Sequence, residues 1–218
     1  MIYVYAIAEP SNRLPAVTGL DRAPLESIAA GALRGVYTSH VRVATDPDPE
    51  SLWTHERVVE ALMRESAVLP LRFGTVLRHA DALRARLQRD ATRFHRLLER
   101  VRGCVELAVR IQLPVPGREE PGSPGGAEYL RGKLAFLRSN EEAAERVLVP
   151  LAEAAAGIRR RERGGPSSCL AASYLVRSRE VGRFAHDVRV LQERNPDLVL
   201  SCTGPWAPYS FVREEGAG

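Results

Sequence analysis

The spacing of hydrophobic positions changes repeatedly along the chain, which predicts short strands followed by helices. Residues 2–8 are apolar, aromatic or small without interruption, as is typical of a buried strand that opens a fold. Further short strands are predicted at residues 17–19, 25–30 and 33–43. Gly31 and Gly35 stand at turn or bulge positions between or within them. The first part of the chain is therefore expected to form a small antiparallel region.

Two helices are predicted after this region. The first begins at Pro49 or Glu50 and runs to about Glu65, since proline is favoured at the first helical position. Its apolar positions share one face at helical spacing: Leu52, Val58, Val59, Leu62 and Met63. The second covers residues 80–101, with an inner apolar stripe, an outer face rich in arginine and Gly103 as its C-cap.

The second half of the chain predicts strands and helices around one polar loop. Residues 114–127 carry proline, glycine, serine and charge, which is typical of a flexible loop. Strands are expected at residues 104–113, 169–177 and 198–202, and helices at 129–161 and 180–194. The long helix has a candidate break at Pro150. The arginine-rich run of residues 159–163 is expected at its C-terminal end.

This order predicts an α+β protein with antiparallel sheets packed with helices in two subdomains. We place an N-terminal subdomain at residues 1–78, a connecting amphipathic helix at 79–102 and a C-terminal subdomain with a docked aromatic tail at 103–218. A ferredoxin-like arrangement is the candidate for the C-terminal half.

Composition narrows the functional classes. The 218 residues are 44% hydrophobic with a formal net charge of +4, ordinary values for a globular protein. The apolar runs are too short to span a membrane, and no signal peptide is evident at Met1, so we expect a cytoplasmic protein without membrane contact. Lys133 is the only lysine among the basic residues, and arginine suits protein interfaces as readily as nucleic acid.

The sequence shows no pattern typical of a catalytic, cofactor or metal site. The cysteines Cys104, Cys169 and Cys202 are far apart and lack the spacing of a zinc or redox motif. The five histidines do not pair at helical spacing and are expected to be exposed or half-buried: His40, His55, His79, His95 and His186. We therefore predict no catalytic residues, no cofactor and no metal.

Nucleic-acid binding is the main alternative among binding functions. The helix at 80–101 and the run at 159–163 are basic, but their arginines alternate with acidic residues, as on a solvated face. The interleaved strand aromatics of an RNA-binding sheet are missing. An RNA-binding α+β module, or an enzyme with an unrecognised site, is kept as the alternative, and no nucleic-acid partner is predicted.

Two segments combine proline, glycine and aromatic residues. One is Leu69-Pro70-Leu71-Arg72-Phe73-Gly74, and the other is Gly204-Pro205-Trp206-Ala207-Pro208-Tyr209-Ser210-Phe211. Proline prevents a regular helix in either segment, so both must turn or run extended. We expect Trp206 to be buried as the anchor of a docked tail. The first segment is either a buried connector, with Phe73 packed and Arg72 paired with a carboxylate, or part of a docking surface.

These segments resemble the signature stretches of the gas vesicle protein F/L family. The first matches the family pattern, and the second departs from it only at Ala207, where the family usually has proline. The residues proposed as family motif and interface are Leu69, Pro70, Leu71, Arg72, Phe73, Gly74, Gly204, Pro205, Trp206, Pro208, Tyr209 and Phe211. The resemblance implies an accessory or minor structural protein of the gas vesicle, not an enzyme. It would bind the hydrophobic, GvpA-type wall subunit and other vesicle proteins during assembly.

Overall fold

A computed structural model describes residues 1–11, 13–42, 47–113, 126–161 and 169–212. The chain divides into two compact units, one formed by Met1–Val105 with Trp206–Gly218 and the other by Glu106–Pro205. The helical residues 79–102 and the tail from Trp206 thus belong to the first unit, whereas the sequence placed them between the subdomains and in the second. The tail joins the first unit because Ala207 and Tyr209 pack with that unit's core.

The sheet of the first unit is built around its first strand. Its strands are β1 (Ile2–Ala8), β2 (Glu26–Ala30), β3 (Leu33–Ser39), β4 (Val68–Pro70) and β5 (Val76–Leu77). They follow the order β2-β3-β1-β4, with β5 also paired to β1, and all of these pairs are antiparallel. Because β1 is covered on both faces, its run of apolar residues is continuous and does not alternate.

Helices cover both faces of this sheet. They are α1 (Pro49–Met63), α2 (Ala80–Arg89) and α3 (Ala91–Val101). Val36 packs in the core formed with α1, whereas a Cβ added to its neighbour Gly35 would lie 2.6 Å from Leu83 of α2. Neighbouring strand residues point to opposite faces, so α1 and α2 lie on opposite sides of the sheet.

The predicted helix over residues 80–101 is divided into α2 and α3. Asp90, between them, leaves the helical conformation with φ −102° and ψ 16°, and its side chain accepts hydrogen bonds from Arg89. Gly103 follows α3 with φ 65°, the left-handed conformation expected of a glycine after a helix end. The start of α1 is also as expected, since Asp48 accepts a hydrogen bond from the Ser51 amide at 3.0 Å.

The second unit has the element order β-α-β-β-α-β. Its elements are β6 (Cys104–Gln112), α4 (Gly126–Glu153), β7 (Gly157–Arg161), β8 (Cys169–Arg177), α5 (Val181–Arg194) and β9 (Val199–Trp206). The sheet order is β7-β8-β6-β9, the ferredoxin-like arrangement. Alternate residues of the two central strands share a core with α4 and α5, so both helices cover one face: Leu107, Val109, Ile111, Ala172, Tyr174 and Val176.

Several boundaries differ from those expected from the sequence. Helix α4 continues through Pro150 and ends at Glu153, after which β7 pairs antiparallel with β8. Residues 159–161 are therefore in an edge strand rather than at a helix end, because Gly157 and the pairing with β8 select an extended chain. Residues 17–19 form no strand, only an isolated bridge between Thr18 and Pro24. The loop expected over residues 114–127 lies outside the described residues except at its last two positions, which begin α4.

Candidate functional site

His55 on helix α1 joins the two motif segments in the core of the first unit. Its Nε2–H donates to the carbonyl oxygen of Leu71 at 3.0 Å, and its Nδ1 lies 2.9 Å from the hydroxyl of Tyr3. That hydroxyl also accepts from the amide of Gly74 at 3.1 Å. His55 is fully buried, so the expectation of an exposed or half-buried residue is wrong here. Burial is tolerated because both ring nitrogens have partners.

The hydrogen bonds fix the protonation state of His55. A carbonyl oxygen can only accept, so Nε2 carries the proton, and Nδ1 accepts from the Tyr3 hydroxyl. A second proton on Nδ1 would break this arrangement. Burial lowers the pKa of His55 to about 4, which keeps the ring neutral at physiological pH. Burial also raises the pKa of Tyr3, so its hydroxyl stays protonated and able to donate.

Aromatic rings surround His55 on several sides. The ring of Phe73 meets it edge-on at a centroid distance of 5.9 Å, and the ring of Tyr209 stacks on it at 6.5 Å. Tyr3 and Tyr5 complete the cluster, with centroids 5.7 and 5.4 Å from the imidazole. Residues from α1, from the first motif segment and from the tail thus meet in one aromatic cluster, although they are distant in sequence.

The segment Leu69 to Gly74 is partly a buried connector. Leu69 pairs with Ile7 across the β1–β4 ladder, and the Leu71 amide donates to the Tyr5 carbonyl at 2.8 Å. Gly74 has φ 82°, a left-handed conformation that L side chains rarely adopt. Arg72 is exposed, and within the described part of the chain its guanidinium forms no ion pair. The expected packing of Phe73 is present, whereas none of the described carboxylates pairs with Arg72.

The tail docks through residues other than Trp206. Ala207, Pro208 and Phe211 are buried, and the guanidinium of Arg100 lies 5.8 Å from the centre of the Phe211 ring. Trp206 is 43% exposed, so the expectation that it is the buried anchor is wrong. The reason is geometric. Strand β9 runs through Gly204 and Pro205 to Trp206, and the chain turns into the core only after it.

Trp206 forms one wall of an apolar surface groove of about 440 Å³. The groove is lined by Pro49, Leu52, Trp53, Glu56, Trp206 and Tyr209. The first four occupy positions i, i+3, i+4 and i+7 of α1 and therefore share one helix face. Trp53 is 67% and Leu52 40% exposed, so the expectation that Leu52 shares one helix face with Val58, Val59 and Leu62 is wrong.

One charged group is present among these apolar side chains. The hydroxyl of Tyr209 donates to Oε1 of Glu56 at 2.7 Å, and Glu56 is half-buried. Burial raises the pKa of Glu56, although the hydrogen bond from Tyr209 opposes this effect. Burial, with the nearby carboxylate, raises the pKa of Tyr209, so its hydroxyl remains a donor.

Sequence reasoning gave four of the six groove residues no role at a site. Pro49 and Leu52 were named only as parts of a helix, and Trp53 and Glu56 were not proposed for the site, although the helical spacing of these four positions was a usable signal. The pattern defines a second apolar stripe on α1, beside the stripe that packs on the sheet. Its significance is visible only once Trp206 and Tyr209 from the tail are placed against it.

Over the described ranges, no group of three or more histidine, cysteine, aspartate or glutamate side chains is arranged to hold a metal ion. The three cysteines are free thiols, with Cys104 buried and the other two half-buried. None of the helices in the described part of the chain combines the length and apolar character needed to cross a membrane.

Comparison with known proteins places this chain in a family. The family model "Gas vesicle synthesis protein GvpL/GvpF" matches residues 1–213, and the chain belongs to this family. It is 34% identical to gas vesicle protein L of Streptomyces sp. (strain CB03234) over 72% of this chain and 67% of that protein. It is 30% identical to gas vesicle protein F of the same strain over 96% of this chain and 98% of that protein.

The fold is shared with solved structures of the family. The crystal structure of gas vesicle protein GvpF from Microcystis aeruginosa matches with a TM-score of 0.79 at 19% identity, over 98% of this chain and 99% of that chain. The crystal structure of GvpF from Anabaena sp. PCC7120 matches with a TM-score of 0.81 at 18% identity, over 98% of this chain and 96% of that chain. The α+β fold class is thus confirmed, as is the gas vesicle family that the two motif segments indicated.

Proposed function

We propose that this chain is an accessory or minor structural protein of the gas vesicle that binds the hydrophobic wall subunit during assembly. A subunit with an exposed apolar face aggregates unless a partner covers that face before it is incorporated. A binding protein with a matching apolar surface would keep it competent for assembly. Such a role needs no catalytic residues and no nucleotide.

The observation that carries this proposal is the exposed apolar groove on the first unit. Trp53, Leu52 and Trp206 adjoin one another at the surface, where large apolar side chains are costly to leave in water. Tryptophan and tyrosine dominate the binding energy of protein interfaces because they combine a large apolar area with a polar tip. An apolar partner would remove this surface from water.

The groove is also preorganised for binding. Its Tyr209 side is held by stacking on His55 and by the hydrogen bond to Glu56, and its α1 side begins at a capped helix end. A surface whose side chains are already ordered loses less conformational entropy when a partner binds. The buried His55 network therefore supports binding indirectly, by fixing the floor of the groove.

The direct test is capture of the purified wall subunit by the purified protein. We expect binding to persist at 1 M salt, because apolar burial is not screened, whereas exposed ion pairs weaken as the Debye length falls from about 10 Å at 0.1 M to about 3 Å at 1 M. The variants Trp53→Ala and Trp206→Ala should each reduce capture by at least tenfold, the effect expected of interface tryptophans.

The matched controls are exposed aliphatic residues of the second unit. Leu134→Ala and Val149→Ala remove side chains that are 55% and 45% exposed, and they should leave capture unchanged. Absence of wall-subunit binding by the wild-type protein at any salt concentration would refute the proposal. Loss of binding in all four variants would indicate that the groove is not the relevant surface.

A further inference from the structure

The carboxylate of Glu56 has an unusual environment for a surface acid. One of its oxygens accepts from Tyr209, and among the described residues no arginine, lysine or histidine forms an ion pair with it. The charge of Glu60, which has the same sign, raises the pKa of Glu56 further. The groove therefore contains a half-buried negative charge that nothing in the described chain neutralises.

The side chains around this carboxylate are suited to a cation. Two indoles and a phenol line the same groove as the acid: Trp53, Trp206 and Tyr209. Aromatic faces carry negative electrostatic potential and attract ammonium and guanidinium groups, with tryptophan the strongest of the three ring types. Several aromatic rings combined with one acid form the arrangement known as an aromatic cage for cations.

A purely apolar occupant would fit this groove poorly. It would exclude water from Glu56 without supplying a partner, and burying an unpaired charge is strongly unfavourable. An occupant that brings a positive group to the carboxylate gains an ion pair in a partly dry site, where screening by salt is weak. Charge complementarity thus selects a cationic group, while the remaining walls select apolar contacts.

The groove is much larger than a small ion needs. A volume of about 440 Å³ corresponds to roughly fifteen water molecules at about 30 Å³ each, far more than one ammonium group needs. A lysine or arginine side chain with an apolar stem and apolar neighbours would fill it. The stem would pack on the rings while the charged end reaches the acid.

We propose that the groove of Trp53, Trp206, Tyr209 and Glu56 is an aromatic cage that receives a lysine or arginine side chain from an otherwise apolar segment of the wall subunit. The choice of the wall subunit rests on the proposed function above, whereas the cation preference rests on the groove alone. Glu56 pairs with the charged group, and the aromatic rings contact both that group and the apolar stem of the bound side chain.

The cation preference can be measured without the wall subunit. Trp53 and Trp206 are the only tryptophans in the sequence, so intrinsic fluorescence reports on this groove specifically. The probes are the capped tripeptides Leu-Arg-Leu and Leu-Lys-Leu, with Leu-citrulline-Leu as the neutral isostere. We expect a cationic tripeptide to bind about tenfold more tightly than the citrulline peptide, a coupling typical of a close charge pair.

The decisive variant is Glu56→Gln, which keeps an oxygen acceptor for Tyr209 and removes the charge. It should lower affinity for the cationic peptides to that of the citrulline peptide. The control is Glu60→Gln, one turn further along α1, where the carboxylate is exposed and paired with Arg64. This control should leave peptide binding unchanged. Equal affinity of wild-type protein for charged and neutral peptides would overturn the cage.

A second experiment identifies the partner. Each lysine and arginine of the wall subunit is replaced by glutamine, and capture is measured against wild-type protein and Glu56→Gln. One wall-subunit position should lose binding to wild type by about tenfold and show no further loss with Glu56→Gln, the non-additivity of a direct pair. If Glu56→Gln captures the wall subunit as well as wild type while Trp53→Ala does not, the cation proposal is overturned. The groove would then bind the wall subunit through apolar contacts alone.

The remaining outcomes separate this inference from the proposed function. Charge-dependent peptide binding without any wall-subunit binding would refute the wall subunit as partner, while the preference of the groove for a cation would still stand. A wild-type dimer in solution that Trp53→Ala converts to monomer would identify a second copy of this chain as the occupant, and would overturn the assignment to the wall subunit.

Discussion

The two faces of helix α1 differ in what they do, although the same fifteen residues build both. The inner face buries His55, Val58, Val59 and Leu62 against the sheet. The adjoining face presents Leu52, Trp53 and Glu56 in the surface groove. His55 and Glu56 are neighbours in sequence, yet one is a neutral hydrogen-bonded core residue and the other a half-buried acid facing the groove. A rotation of about 100° per residue accounts for this separation.

This comparison shows how stability and binding are divided within one element. Inner-face residues stabilise the first unit, whereas the groove residues are proposed to determine what it binds. Tyr209 belongs to both sets, since it stacks on His55 and donates to Glu56. Variants chosen in pairs across the two faces therefore provide the sharpest tests.

The largest difference in stability is expected between alanine variants of two leucines of α1. Leu62→Ala should destabilise the protein by about 2–5 kcal/mol, because Leu62 is fully buried and its truncation leaves a cavity. Leu52→Ala removes the same atoms from a side chain that is 40% exposed and should cost less than about 1 kcal/mol. Urea denaturation of both variants checks this. Similar losses of stability in the two variants would mean that both faces of α1 contribute equally to the stability of the fold.

Lowering the pH should reduce the free energy of unfolding because of His55 on the inner face. Its pKa falls from 6.5 in the unfolded chain to about 4 in the fold, so below pH 6.5 the unfolded chain binds a proton that the fold resists. Stability is then lost between pH 6.5 and about 4 by about 3 kcal/mol, at 1.36 kcal/mol per pH unit. Glu56, whose pKa is raised by burial, acts in the opposite sense.

The measurement for His55 is the pH dependence of the free energy of unfolding. The control is His55→Gln, which is less stable at neutral pH but has no imidazole to protonate. Its stability should fall less steeply than that of the wild type between pH 6.5 and 4. Parallel pH profiles for the two proteins would contradict the assigned role of His55.

The next largest effect on stability is expected from removing the Tyr3 hydroxyl. Tyr3→Phe leaves the Gly74 amide and Nδ1 of His55 without their partner, which should cost about 1–3 kcal/mol for unsatisfied buried groups. The matched control is Tyr37→Phe, whose hydroxyl makes only a long 3.5 Å contact with Glu26. Thermal unfolding should show a clear loss for the first variant and a negligible one for the second.

The smallest effects on stability are expected at the groove tryptophans. Trp53→Ala and Trp206→Ala should each cost only about 1 kcal/mol or less, since both side chains retain much of their exposure in the fold. Their effect on wall-subunit capture should be far larger. A loss of about 3–5 kcal/mol in Trp206→Ala, the usual result for a buried large aromatic, would restore Trp206 as a core anchor.

Much of the fold could be predicted from local sequence. The unbroken apolar run of β1, the proline start of α1 and the left-handed glycine after α3 each follow from properties of the residues themselves. The two proline-rich motif segments likewise had to turn or extend, and their residue patterns indicated the family. These features depend on the backbone preferences of a few neighbouring residues, which the sequence displays directly.

The candidate site was decided by tertiary structure. Local pattern could not show that His55 has two buried partners, because those partners, Tyr3 and Leu71, are distant in sequence. Nor could it show that Trp206 stays at the surface while Ala207 and Phe211 are buried, or that Trp206 meets the outer face of α1. Burial and charge pairing depend on which distant residues the fold brings together, so the chemistry of His55, Glu56 and Trp206 became readable only in the folded first unit.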